Sequence, residues 1–285
     1  MRSLQPRSWK RWTARIVILL AVVYLVSFGV LLLIEDSLLY HPVSAADDWR
    51  APPKRLASLK DVELLADGTR FHAWWSTPDN WDATKGAVLF CHGNGGNLSW
   101  WGGVIENWHK HRREAFLILD YPGYGKSEGR PSEAGCYAAG SAAYHWMTEI
   151  QRVSGDQVLL VGQSLGTGVA TQLAVDCRHR AMVLISPFTS MPDMAAEKLP
   201  LFPGRWFIHN NFDNLARISR CHRPLLVVHG VEDELVPIHQ GERLFAAANP
   251  PKKFLPLDGV GHRVKLDDEF FRTLEALLDE EPSSN

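Results

Sequence analysis

Three side chains of the kinds that acyl-transfer chemistry needs stand at the ends of apolar runs in this chain: Ser164, Asp233 and His262. A serine hydroxyl is a poor nucleophile near neutral pH. It needs an imidazole within hydrogen-bond reach to take its proton, and a carboxylate that holds the ring in the right tautomer and steadies its positive form. Ser164 lies in Gly162-Gln163-Ser164-Leu165-Gly166, directly after the apolar run Val158-Leu159-Leu160-Val161. A Gly-X-Ser-X-Gly pentapeptide between a strand and a helix is the pattern of a nucleophile elbow. Its glycines are a steric requirement, because a side chain at either position would collide with neighbouring backbone where the chain reverses sharply. Asp233 follows the apolar run Leu225-Leu226-Val227-Val228, and His262 closes Asp258-Gly259-Val260-Gly261-His262 after the strand-like Lys253-Phe254-Leu255-Pro256-Leu257. All three therefore stand just past the C-terminal end of a strand, the edge at which an open α/β sheet gathers its ligands.

The elements that must position these residues are legible as an alternation. Strand-like runs occur at 59–65, 70–75, 87–91, 116–120, 158–161, 182–185, 225–228 and 253–257, with helical patterns at 98–112, 133–151, 164–177, 238–248 and 267–278. Strand alternating with helix predicts an α/β fold with a mostly parallel sheet covered on both faces. One interval breaks the rhythm. Residues 187–222 carry Met191, Met194, Leu199, Leu201, Phe202, Trp206, Phe207, Ile208 and Phe212, interrupted by Pro192, Pro200 and Pro203.

On these residues the chain resembles the α/β-hydrolases, and within them the membrane-anchored serine hydrolases of the branch related to prolyl-oligopeptidase-type enzymes. The resemblance covers nearly everything from Asp36 onward, and the order nucleophile, acid, histidine is the family's. It implies eight strands and the catalytic roles just given to Ser164, Asp233 and His262. It also implies a small helical cap over the site at 187–222, whose apolar content either packs on the sheet or lines an acyl pocket. A second family feature is Val88-Leu89-Phe90-Cys91-His92-Gly93-Asn94-Gly95-Gly96-Asn97, a strand entering a histidine-glycine loop. Carried over, this loop gives one oxyanion-hole donor, the backbone N–H of Asn94, and the residue after the nucleophile, Leu165, gives the other. A third is the strand-then-glycine loop Leu117-Ile118-Leu119-Asp120-Tyr121-Pro122-Gly123-Tyr124-Gly125-Lys126-Ser127.

Competing residues are excluded by position. His92 falls where the family pattern shapes the loop and moves no proton. Asp233 is flanked by Glu232 and Glu234, and its place relative to the strand end selects it. Of the twelve histidines, His262 alone follows a final strand through a Gly-Val-Gly turn, whereas His222, His229 and His239 lie before or near the acid. Because Asn94 would contribute only its amide, its side chain is expected to be more replaceable than that of Ser164. Trp100 and Trp101, just beyond the loop, are divided between core packing and substrate contact.

Gly125-Lys126-Ser127 is not a phosphate-cradling loop, since that motif needs glycine where the chain has Asp120. His109 and His111 stand close together, but neither a His-Glu-X-X-His run nor a paired cysteine spacing occurs, so no metal and no cofactor are expected. Cys91, Cys136, Cys177 and Cys221 are too few for a disulfide scaffold; Cys91 and Cys177 read as buried thiols, and pairing of Cys136 with Cys221 stays open.

The front of the chain differs from the rest. Residues 16–34 are uncharged, nineteen in a row, and as a helix they would reach roughly 28 Å, close to the hydrocarbon thickness of a bilayer. Arg2, Arg7, Lys10, Arg11 and Arg15 precede this run, and Glu35 and Asp36 follow it. The positive-inside tendency then keeps the N-terminus cytosolic and sends the catalytic domain to the periplasmic or lumenal side. A cleaved signal peptide fits less well, because the core is long and the small residues Ser44-Ala45-Ala46 come some ten positions later. The expected organisation is a basic tail and transmembrane signal anchor at 1–34, a connector at 35–58 stiffened by His41-Pro42 and Pro52-Pro53, and a catalytic domain at 59–285. Beyond residue 34 the chain carries twenty-five basic against thirty-two acidic residues, a poor balance for binding nucleic acid.

Taken together, these readings predict a membrane-anchored hydrolase that cleaves an ester-type bond through an acyl-enzyme. Its expected partners are an acyl-ester or thioester substrate, a lipid or an acylated protein, and the membrane itself. Thioesterase or depalmitoylase action, peptidase action and a non-catalytic scaffold that keeps the fold stay open as alternatives.

Overall fold

The computed structural model describes residues 7–200 and 207–279 of the chain. Eight strands form one sheet in the order β1-β2-β4-β3-β5-β6-β7-β8. They are β1 (Lys60–Ala66), β2 (Thr69–Ser76), β3 (Ala87–Cys91), β4 (Ala115–Leu119), β5 (Val158–Gln163), β6 (Ala181–Ile185), β7 (Leu225–Gly230) and β8 (Lys252–Leu257). β1 and β2 pair antiparallel at one edge, β2 runs antiparallel to β4, and every pairing from β4 through β8 is parallel. The pattern follows from the residues. β3, β4, β5 and β6 are buried along their whole length, as strands covered on both faces must be, whereas β1 alternates buried Val62 and Leu64 with exposed neighbours.

Successive side chains of a strand point to opposite faces, so each central strand feeds two cores. Leu89, Leu117, Leu160 and Leu184 belong to one, Phe90, Ile118, Val161 and Val183 to the other. α3 (Gly102–His111) and α9 (Asp268–Leu278) cover the second face. α9 begins where the Asp267 carboxylate caps the N–H groups of Glu269 and Phe270, and it buries Phe270, Phe271, Leu274 and Leu277 on one side. α4 (Glu133–His145) and α5 (Leu165–Asp176) cover the first face. The helix expected over 133–151 is regular only to His145 and then widens into a π turn at Trp146–Ile150. α5 is buried nearly all round, which explains its apolar and small residues. α6 (Met191–Lys198) and α7 (Asn214–Ile218) lie in the interval expected as a cap. Residues 201–206 of that interval, and 1–6 of the basic tail, lie outside the described residues. α8 (Ile238–Ala247) links β7 to β8.

α1 (Arg7–Leu33) is one continuous helix whose segment Arg11–Leu33 is long and apolar enough to cross a membrane, and none of that window is buried within the molecule. Residues 35–58, expected as a connector, open with the helical turn α2 (Glu35–Leu39) and then strap onto the domain. Pro42 bridges Gly96, Ser44 bridges Gly125, and the Asn97 side-chain amide donates to the carbonyls of Val43 at 3.1 Å and Asp48 at 2.7 Å. Trp49 packs edge-on against His72 and Trp74, with ring centroids 5.5 Å away in each case. Local proline content favoured stiffness; the backbone's unpaired donors and acceptors found partners on the glycine loops instead.

Candidate active site

Ser164 sits between β5 and α5 with φ +51° and ψ −118°, a conformation that non-glycine residues adopt only at a cost on the order of 1–3 kcal/mol. Its backbone is held there from both sides. The Ser164 N–H donates to the Ile185 carbonyl at 2.9 Å, and its own carbonyl accepts from Thr167 N–H at 2.9 Å and Thr167 Oγ1 at 2.6 Å. The flanking glycines permit the turn for separate reasons. A Cβ at Gly166 would lie 1.9 Å from the Cys91 carbonyl oxygen, and one at Gly162 would lie 2.5 Å from the Gly166 carbonyl oxygen. α5 thus presses directly on the exit of β3.

Asp233 and His262 are brought together by the exits of β7 and β8. Val231 N–H donates to the Leu257 carbonyl at 3.0 Å and Glu232 N–H to the Val260 carbonyl at 3.0 Å, which ties one loop to the other. Gly230 makes the approach possible, since a Cβ there would meet the Val260 oxygen at 2.3 Å. The result is a bond from His262 Nδ1–H to Asp233 Oδ2 of 2.8 Å, with the Asp233 side chain 0% exposed and that of His262 22% exposed. Asp233 Oδ1 accepts from Leu235 N–H at 2.9 Å and Val236 N–H at 2.8 Å. Burial pushes this carboxyl up, but hydrogen bonds from the side chains of His229 and His262 and from Val236 N–H outweigh it and hold it well below the usual carboxylate range. Glu232 and Glu234, its rivals in sequence, are both exposed. Among the described residues no hydrogen bond joins Ser164 Oγ to His262; the imidazole reaches its acid and not the serine.

Asn94 and Leu165 border the serine. Neither backbone N–H donates to a backbone carbonyl among the described residues. The Asn94 side chain nevertheless has several partners of its own. Its Oδ1 accepts from Tyr124 Oη–H at 2.7 Å, His41 N–H at 3.0 Å and Gly95 N–H at 3.0 Å, while Nδ2 donates to the Leu39 carbonyl. His92 is wholly buried, donates from Nδ1 to the Gly93 carbonyl at 2.7 Å, and packs against Tyr121 with ring centroids 4.5 Å apart. Trp101 packs on Phe90, and Trp100 stacks under Arg50.

Sequence reasoning missed His229. It is fully buried, donates from Nε2 to the Val236 carbonyl at 2.8 Å, and lies 3.5 Å from Asp233 Oδ2, so it backs the acid from beneath. Its place directly after the strand's apolar run was the available signal. The four cysteines are unpaired; Cys91, Cys136 and Cys221 are buried and Cys177 partly so. Among the described residues, no group of three or more histidine, cysteine or carboxylate side chains could hold a metal ion.

Ser164, Leu165 and Asn94 share a cavity of about 370 Å³ with Phe188, residues of α6, and the ends of α1 and α2. A larger cavity of about 750 Å³ flanks α9 and contains neither Ser164 nor His262.

Residues 86–219 match the family model of the alpha/beta hydrolase fold. An uncharacterized protein of Mycobacterium tuberculosis is 36% identical over 246 residues, covering 85% of this chain and 86% of that one. Alpha/beta hydrolase domain-containing protein 17B of Xenopus laevis is 30% identical over 202 residues, covering 70% and 68%. Among solved structures, the Pyrococcus furiosus esterase Pf2001 superposes with a TM-score of 0.67 at 22% identity, covering 84% of this chain and 98% of that one. An acetyl xylan esterase from Paenibacillus sp. R4 gives 0.66 at 20%, covering 80% and 87%. At such identities the likeness speaks for the fold, and the sequence relatives carry the assignment: this chain belongs to the α/β-hydrolase family.

Proposed function

We propose that this protein is a membrane-anchored serine hydrolase that cleaves an ester-type bond, with Ser164 as nucleophile, His262 as general base and acid, and Asp233 as the carboxylate that orients it. The observation that carries the reading is the pair His262 Nδ1–Asp233 Oδ2 at 2.8 Å, standing at the same sheet edge as a serine held at φ +51°. With Nδ1–H committed to the carboxylate, Nε2 is left as the acceptor, the tautomer a base requires. Ser164 Oγ attacks the carbonyl carbon as its proton passes to Nε2, and the Asn94 and Leu165 amides receive the developing oxyanion. Each such donor is worth about 10² to 10³ in rate. His262 then protonates the leaving oxygen as the acyl C–O bond breaks, and a water deprotonated by His262 releases the acid and restores Ser164. The mechanism requires Nε2 to close on Ser164 Oγ in the substrate complex, and catalytic hydrogen bonds commonly tighten at that stage.

That two of the structural neighbours are esterases accords with an acyl substrate, and a thioester would follow the same steps. α1 serves as the anchor. Basic residues before its uncharged run and Glu35 and Asp36 after that run orient the domain to the non-cytosolic side. The test is fluorophosphonate labelling of the full chain in membranes together with hydrolysis of an activated short-chain ester. Labelling at Ser164, lost in Ser164→Ala along with turnover, is the expected result. A folded wild-type protein that neither labels nor turns over would sink the proposal in favour of a binding role for the fold.

A further inference from the structure

The cavity at Ser164 has two walls of different origin. One belongs to the sheet's loops. The other is the end of α1 together with α2: Phe28, Leu31, Leu32, Glu35 and Leu39 line it. These positions recur at i, i+3, i+4, i+7 and i+11, a single helical stripe, and they are partly buried while residues 11–27 of α1 stand exposed. The apolar helix therefore does more than tether the domain. Its last two turns close the space in front of the serine.

This end is fastened firmly. The Phe28 ring meets Phe207 edge-to-face at 5.1 Å. The Glu35 carboxylate accepts from the N–H groups of His209 at 3.1 Å and Asn210 at 2.9 Å and from Asn210 Nδ2 at 2.9 Å. Burial pushes this carboxyl up, yet the bonds from Asn210 and His209 outweigh it and keep it below its ordinary value, so the clamp is charge-assisted at neutral pH. Asn94, the residue beside the serine, donates to the Leu39 carbonyl. The helix end and the loop beside the nucleophile are thus one connected unit.

Two further observations say what enters. Leu38, Leu199 and Leu235 line the cavity although they are 52%, 42% and 55% exposed, an apolar rim that water disfavours. The polar side chains of the lining other than the nucleophile have bonds inside the protein: Glu35 as above, Asn94 in its network, His41 Nδ1 accepting from Asn94 Nδ2 at 3.0 Å, and Lys198 Nζ on the Glu234 carbonyl at 2.9 Å. They leave little with which to recognise a peptide. If α1 spans a bilayer, Phe28 lies five residues before Leu33, within about 7.5 Å of the helix's apolar end, so the cavity opens at the hydrocarbon boundary.

From the serine-hydrolase reading above, on which this rests, we propose that the end of the anchor helix is part of the acyl-binding site, and that the substrate is a long-chain acyl ester of a membrane lipid. Its chain reaches Ser164 along the Phe28, Leu32 and Leu39 face without crossing water. The anchor then confers access to the substrate as well as location.

The full chain in phosphatidylcholine vesicles tests this with a long-chain alkyl fluorophosphonate carrying a diazirine near the end of its chain. Ser164 displaces fluoride from phosphorus, and illumination then maps what surrounds the chain. Cross-links between Phe28 and Leu39 are expected; labelling of Ser164 with cross-links confined to α6 and Leu235 or Val236 would overturn the inference and leave the hydrolase reading intact. No labelling of Ser164 would instead bring down the reading beneath it. In parallel, Leu31→Trp should lower the ratio of kcat/KM for a vesicle-resident acylglycerol to that for a soluble butyrate ester at least tenfold. An unchanged ratio, or faster turnover of an S-acylated peptide than of any acylglycerol by the wild type, would overturn the lipid assignment. Cross-linking of the wild type decides the matter if the variant fails to fold.

Discussion

The floor and the roof of the Ser164 cavity are built on different physics. On the floor, each residue is locked by its own neighbours: Gly162 and Gly166 let backbone pass within contact of backbone, Gly230 lets two loops touch, and Asp233 is buried with all its oxygens engaged. The roof is α2, α6 and the end of the apolar helix α1, joined to the domain by polar ties such as Glu35 to Asn210. Floor geometry is set by sterics and hydrogen bonds that no surrounding medium alters. Roof geometry depends on the medium, because an apolar helix that the protein leaves exposed over residues 11–27 is stable only in apolar surroundings. On the proposed reading, the difference separates what would perform the chemistry from what would admit the substrate.

Substitutions should widen or close that difference in a definite order. Ser164→Ala is expected to lower kcat for an activated ester by about 10⁶, measured by initial rates on the full chain; near-wild-type rates would mean the floor is not where chemistry happens. Asp233→Asn should cost about 10⁴ in kcat, since the amide favours the wrong imidazole tautomer. The same substitution carries a pH signature. A carboxyl whose pKa is depressed on folding adds stability that is present above its unfolded value, about 3.9, and is lost as pH falls through the lower folded value. The stability advantage of wild type over Asp233→Asn in denaturant titrations should accordingly shrink as pH drops from 5 toward 2, and an advantage that grew would contradict the assigned bonds.

Asn94→Ala probes the seam between floor and roof. Its side chain binds Tyr124, His41 and Leu39, so truncation should let the loop amide drift and lower kcat by about 10². An unaffected rate would show that the amide keeps its place without the side chain. Glu35→Gln, on the roof, should be the mildest, reducing stability by about 1.5 kcal/mol through weakened bonds to His209 and Asn210. Chemical denaturation of the detergent-solubilised chain measures it.

Most of the floor could be read from the amino-acid order because its determinants are local. A serine two residues from each of two glycines after an apolar run, an aspartate and a histidine past later runs, and strands dense in Val, Leu and Ile each follow from backbone sterics and burial over a few positions. Asp233 was singled out from Glu232 and Glu234 by strand position, and burial makes the same selection. Less was legible wherever partners lie far apart in the chain. His229 under Asp233 was set aside on chain order, since nothing in a linear reading shows that α8 folds back over it with Gly241 against its ring. Residues 35–58 read as a spacer because proline stiffness is local, while the bridges to Gly96 and Gly125 are not.

Sequence alone therefore determined the strand-helix alternation, the elbow and the presence of an apolar helix of membrane length, since each is a matter of period, propensity and side-chain size. Only the tertiary structure decided that the helix's last turns share a cavity with the serine, with Glu35 bonded to residues more than 170 positions away. A pairing of that span is chosen by the packing of whole elements and the need to satisfy buried charge, which short-range pattern does not encode.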